Sequence, residues 1–390
     1  MPTPARRTLS SLAALAVLAP LALTACTDNA KPSGGASDGP IAVSSTDKEC
    51  KLSAATAKSG HLTFEVKNDG QQVTEFYLLA EDGLRIVGEV ENIGPGLSRK
   101  LVVTAPEGKY FTACKPGMQG EGIRAAFTVE ASGTTASVDS DTKALLETAT
   151  TQYVAYVKDQ TEQLLTGTKE FASAYESGDA EKARSLYASV RMHWERIEPV
   201  AESFGDLDPS LDLREADLEK GQEWTGWHKA EKDLFPPKGY TPLTAAERQK
   251  LSKKLVADTQ TLFDRTRTLT LTPDKLGNGA KELLDEVATG KVTGEEETWS
   301  HTDLWDFQAN VDGARIAYQN LRPVVQLKKP ELAKTLDERF KSLQAELDKL
   351  KVGDGFKYYN ELSQDQIKQL AGLVDALGEP LGQLTATVVL

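Results

Sequence analysis

The pattern of apolar and polar positions changes character twice along the chain. Leu9 to Leu23 is a predominantly apolar stretch rich in Ala and Leu. It is too short and too early for a stable membrane span. From residue 41 the period is two: Leu62-Thr63-Phe64-Glu65-Val66 alternates, and Asn68-Asp69-Gly70 then supplies a turn. Apolar runs at 76–79, 84–90, 101–104, 109–113 and 125–129 follow at short, even spacing. Asp82-Gly83, Gly94-Pro95-Gly96, Glu107-Gly108 and Pro116-Gly117 punctuate them. From about Lys143 the period becomes 3.6, with Tyr153, Tyr156, Val157, Leu164, Leu165, Phe171 and Tyr175 on one helical face. Ser177-Gly178-Asp179 stops that helix and caps the next. Further helical patterns cover 209–232, 243–269, 279–289, 303–321, 330–350 and 363–378.

These patterns predict a multidomain chain. Residues 41–131 read as an all-β Greek-key sandwich of about seven short strands. Residues 143–390 read as an all-α domain of antiparallel helical bundles. Small polar segments at 26–40 and 132–142 read as a flexible tether and a linker. Residues 1–25 read as an export signal: Arg6 and Arg7 precede the apolar stretch, and Leu23-Thr24-Ala25-Cys26 has the form of a lipobox. Cys26 is then the lipidated first residue of the mature chain, anchored to the outer face of the cytoplasmic membrane.

Composition narrows the function. Asp and Glu number 58 against 45 Lys and Arg, a net charge of −13. Loss of Arg6 and Arg7 with the signal takes it to −15. A surface of that sign disfavours nucleic acid and favours cations. With Cys26 consumed, only Cys50 and Cys114 remain, in an oxidising compartment.

The helical half holds three of the four His: His193, His228 and His301. His228 and Glu231 stand at i and i+3 on one helix face, a spacing that lets imidazole and carboxylate share one metal ion. Glu195 and Glu198 repeat the spacing with two carboxylates, and Pro199 must end or kink their helix. A mixed nitrogen and oxygen donor set suits iron, manganese or zinc. A solvated ion pair explains most isolated His-x-x-Glu matches, and Glu195 and Glu198 can equally pair with Arg191 and Arg196. Asp303 and Asp306 read as helix-start charges. No His-Glu-x-x-His or Gly-rich phosphate loop is present, and the one Gly-x-Ser-x-Gly match, Gly35-Ala36-Ser37-Asp38-Gly39, lies in the small polar tether rather than between a strand and a helix.

In the β half, Cys114-Lys115-Pro116-Gly117-Met118 places a thiol and a thioether in one loop, as blue-copper domains do. No His follows Cys114 within the β half, where the only His is His61 near its start, which disfavours a type 1 copper centre. Cys50 and Glu75 are further ligand candidates. Cys50 and Cys114 either join such a site or form a disulfide.

The segments HWERIEPVAESFGDLDP (193–209), GWHKAEKDLF (226–235) and SHTDLWDFQANVDGA (300–314) are long and specific. With EFYLL (75–79), ENIGPG (91–96) and the Cys114 loop, the chain resembles the EfeO group of bacterial iron-uptake proteins. That group joins a cupredoxin-like domain to an imelysin-type helical domain. The resemblance implies an extracytoplasmic iron-binding component working with a membrane permease and a haem peroxidase. It places the His-x-x-Glu metal motif on His228 and Glu231, with Glu195 and Glu198 completing the set. It places a copper or iron site of the β domain on Cys50, Glu75 and Cys114, to which the loop position adds Met118. The expected cargo is ferrous or ferric iron, with copper or zinc as alternatives. A copper-assisted ferroxidase or an imelysin-type metallopeptidase is the competing enzymatic reading.

Overall fold

The computed structural model describes residues 39–79, 81, 86–118, 122–132 and 140–390. The export signal, the Cys26 anchor and most of the 26–40 tether lie outside the described residues, and so does the Met118 side chain.

Among the described residues, nine strands build the β part: β1 (Ile41–Ser45), β2 (Cys50–Leu52), β3 (Thr56–Lys58), β4 (Gly60–Asn68), β5 (Thr74–Leu79), β6 (Ile86–Ile93), β7 (Ser98–Ala105), β8 (Gly108–Cys114) and β9 (Ile123–Glu130). One sheet runs β2-β1-β4-β7 and the other β3-β9-β8-β5-β6. Alternation along each strand puts every second residue between the sheets. Phe64 of β4 thus meets Phe76 of β5 and Phe127 of β9, with ring centroids 5.1 and 5.6 Å apart. The two sheets form the expected sandwich. The three-residue strands β2 and β3 are too short to show a period in sequence.

The helical part comprises α1 (Ser140–Ser177), α2 (Ala180–Glu195), α3 (Glu198–Glu202), α4 (Asp208–Leu211), α5 (Trp227–Leu234), α6 (Ala245–Thr266), α7 (Pro273–Thr289), α8 (Asp303–Lys328), α9 (Pro330–Asp348), α10 (Gln364–Leu381) and α11 (Leu384–Val389). α1 packs along α2, α6 and α8, and α7 lies against α8. Asp179 caps α2 by accepting from the Lys182 amide, as its sequence position predicts.

Two local expectations meet different outcomes. The chain leaves the helix after Glu195 and starts a new one at Glu198, so the break falls just before Pro199 as its missing amide requires. The continuous helix expected over 209–232 is absent: only Trp227–Leu234 is a full helix there. Gly221 and Gly226 sit at φ 92° and 85°, a backbone region that interrupts a right-handed helix. Gly226 also packs so closely that a Cβ would lie 2.2 Å from the Leu211 carbonyl oxygen.

The two parts meet where β6 and β7 lie on α7. Asn278 Nδ2 donates to the Val102 carbonyl over 2.8 Å, and the Thr104 amide donates to Asp274. Val102 is buried with the helical core.

Candidate metal centre

The helical centre is assembled by α2, α5, α8, Asp212 just beyond α4, and the turn before α8. Phe171, Tyr187 and Trp227 pack around α5, with the Trp227 ring 4.8 Å from Phe171. That apolar packing buries the polar face of α5 completely: His228 is 1% exposed and Glu231 0%.

His228 Nδ1 lies 3.3 Å from Glu231 Oε2, so the i, i+3 pair is brought together as the spacing predicts. The other carboxylate oxygen, Glu231 Oε1, accepts from the amides of Trp299 and Ser300 over 2.8 and 2.7 Å. The turn that delivers these amides carries His301 at φ 59°, an uncommon conformation for a side-chain-bearing residue. Glu231 is therefore fixed from both sides.

His228 Nε2 faces the opposite way. It lies 3.5 Å from Asp212 Oδ1 and 3.4 Å from Glu296 Oε1, and makes no hydrogen bond. Among the described residues, two groups of three bring their ligand atoms within 4.8 Å of one another: Asp212, His228 and Glu296, and His228, Glu231 and Glu297. One imidazole belongs to both.

The surrounding charge is strongly negative. Asp303 and Asp306 of α8 are buried rather than exposed helix-start charges, and neither oxygen of Asp306 has a hydrogen-bond partner. Burial and the nearby Glu297 push Asp306 well above the carboxylate range. Burial, then Glu231, pushes Glu297 up to about 8. For His228, burial and the Arg191 guanidinium favour the neutral ring. Glu231, Glu296 and Asp212 outweigh them and hold it well above its ordinary value. Carboxylates that stabilise an imidazolium in a dry site stabilise a bound cation by the same field.

Glu195 and Glu198, expected as completing ligands, are buried nearby but are otherwise engaged. Lys291 Nζ lies 2.6 Å from Glu195 and 3.0 Å from Glu198, and Asn310 Nδ2 donates to both. Glu195 also pairs with Arg191 four residues earlier. A resident ammonium takes the position a metal would need between them. His193 points away and bonds Gln160 over 2.9 Å, as its offset from Glu195 predicts.

The β-part expectation also changes. Cys50 and Cys114 form a disulfide with Cα atoms 5.6 Å apart. With both sulfurs covalently paired, neither is a thiolate ligand. Cys114 pairs across the ladder with Phe76, and both face the sandwich core. Glu75, one residue earlier, faces outward with Tyr77, whose hydroxyl donates to it over 2.7 Å. Thus Glu75 does not converge with Cys50 and Cys114 in this oxidised state. Tyr77 pairs with Glu89 on β6, so Glu75 and Glu89 share the outer face toward α7. Burial, then Glu75, pushes Glu89 up to about 8.

Asp212, Glu296 and Glu297 were not singled out by sequence pattern. Asp212 lies just past the segment 193–209, and Glu296 and Glu297 sit in a run of three Glu between Gly294 and Thr298. Its nearness to Trp299 and His301 was the available signal.

Comparison with known proteins adds two family matches. Residues 149–384 match the model described as imelysin, and residues 13–129 match that of a cupredoxin-like domain. The iron uptake system component EfeO of Escherichia coli strain K12 is 39% identical over 347 residues, 88% of this chain and 90% of that protein. The proteins of the same name from Shigella flexneri and Escherichia coli O1:K1 match to the same extent.

Proposed function

Because the chain belongs to the imelysin family and shares the layout of the EfeO proteins, we infer that it is an extracytoplasmic iron-binding component of an uptake system. It captures iron in the helical centre and passes it to a membrane permease, held at the membrane through Cys26. An exported haem peroxidase is the expected second partner.

One observation carries this reading. The Nε2 atom of His228 is buried, lacks a hydrogen-bond partner, and points between two carboxylates at 3.4 and 3.5 Å. A buried polar atom left in that state requires a partner, and a cation satisfies it together with both carboxylates. The ion is bound by His228 Nε2, Asp212 and Glu296. Glu231 then acts behind the ring: it accepts from Nδ1–H and so leaves Nε2 free as a donor of electrons. Glu297 stands on the same side as Glu231. The mixed donor set accommodates ferrous or ferric iron, and also zinc.

The enzymatic readings find less support. A metallopeptidase needs a peptide carbonyl and a water beside the ion, whereas His228, Asp212 and Glu296 are all buried, at most 8% exposed. A copper-assisted ferroxidase at Cys50 and Cys114 would require the disulfide to open first.

Iron titration of the mature protein tests the reading. Wild type should bind iron tightly, and His228→Ala should lose most of that affinity. Equal binding of both iron(II) and iron(III) by the two proteins would remove the centre as the iron site.

A further inference from the structure

We propose that Arg191 stands in the place of a second cation, so that a carboxylate cage with room for two accepts only one from solution. This rests on the iron-binding reading of the His228 centre. Arg191 is 0% exposed and lies in the middle of the cage. Its Nη1 donates to Asp212 and its Nη2 to Glu195. Nη2 also lies 3.7 Å from Glu296, and Nε lies 2.7 Å from Glu297. Five carboxylates thus converge on one guanidinium, counting Asp306 at 3.8 Å from Nε.

Asp306 identifies what the guanidinium replaces. It is 1% exposed, and both its oxygens lack a hydrogen-bond partner. The guanidinium is a planar fork whose donors point in fixed directions. Asp212 and Glu195 each take one, Nε stays without a hydrogen-bond partner although 2.7 Å from Glu297, and Asp306 receives none. A spherical hard cation has no such restriction and coordinates six or more oxygens at once. The cage therefore holds a carboxylate that the guanidinium, in its fixed orientation, does not serve. One member of each ligand group, Asp212 of the first and Glu297 of the second, lies against Arg191. The resident charge fixes them in place and sets the number of ions admitted.

Arg191→Gln in the full mature chain tests this, with manganese(II) as the probe of a hard divalent cation. After equilibrium dialysis, elemental analysis should find one more manganese per chain in Arg191→Gln than in wild type. The melting temperature of Arg191→Gln should fall without metal and recover at saturating manganese(II). Arg191→Lys, which keeps the charge, should bind no extra ion. Adding Asp306→Asn to Arg191→Gln should remove the gained ion, whereas adding His228→Ala should leave it. An Arg191→Gln protein that gains no ion, or that stays unfolded at saturating manganese(II), overturns the proposal. If wild type binds no iron yet Arg191→Gln gains manganese, the uptake reading fails and this one stands.

Discussion

Glu231 illustrates how a residue can be legible in sequence while its work is not. The His-x-x-Glu spacing identifies the pair, and the two side chains do meet at 3.3 Å. The spacing cannot reveal that Glu231 Oε1 is already taken by the amides of Trp299 and Ser300, 68 and 69 residues away in the chain. In Glu231→Gln, the carbamoyl oxygen keeps those amides. The carbamoyl NH₂ then faces Nδ1, where only an acceptor fits a protonated ring nitrogen. The ring proton is driven to Nε2, where iron should bind. Affinity for iron is expected to fall about 10–100-fold, the usual loss for such an orienting carboxylate. Competition titration against a chelator measures it, and an unchanged affinity would show that Glu231 does not orient the ring. Glu195 and Glu198 teach the converse. Their spacing reads as a ligand pair because the neutralising group, Lys291, lies more than ninety residues later. Burial lowers the stability of the Lys291 ammonium, but Glu195 and Glu198 outweigh that and hold its pKa well above the ordinary value. Lys291→Met leaves two buried carboxylates facing each other without their cation. Breaking a buried pair in this way is destabilising by about 3–5 kcal/mol. Denaturant unfolding checks the loss.

At the scale of elements, periodicity located the long helices because each buries one stripe against its neighbours. It overextended across 209–226, where apolar residues recur at helical spacing but glycines take the backbone into another region. That irregular segment carries the chemistry. It brings Asp212 beside α5 and lets Gly226 start α5 in contact with Leu211. A loop-borne ligand has no period to betray it, which is why Asp212, Glu296 and Glu297 escaped a reading based on pattern. Gly226→Ala tests how tightly this junction sets the site. The new Cβ must displace the Leu211 carbonyl, and φ 85° strains any L side chain. The variant should lose more than about 1 kcal/mol. Its iron affinity should drop with it, because α5 moves relative to Asp212. Retention of wild-type stability together with wild-type affinity would show that the junction yields without cost.

For the molecule as a whole, the order of a β sandwich and an α domain was legible, since periods of two and 3.6 occupy separate halves. How the halves meet was not, because an interface between domains has no sequence period of its own. The outer face of β5 and β6 brings Glu75 and Glu89 to the side of α7 that carries Glu282, beside a cleft of about 600 Å³. Burial, then Glu75, pushes Glu89 up to about 8. Burial, then Glu89, raises both Glu91 and Glu282 well above the carboxylate range. Each of these acids is therefore protonated more readily in the folded molecule than in the unfolded chain, whose carboxyls titrate near 4.5. Between pH 4.5 and about 8 the folded state holds the extra protons, so its stability falls as pH rises through that window. Below it the contribution is fully present, and above it the loss is complete. The net charge of −13 acts in the same direction. Melting temperature should accordingly decline from pH 5 to pH 8 in metal-free protein. Glu89→Gln, which cannot ionise, should flatten part of that slope, while a mutation of exposed Glu107 should not. A slope unchanged by Glu89→Gln would mean that the acids facing α7 do not govern how the two halves hold together.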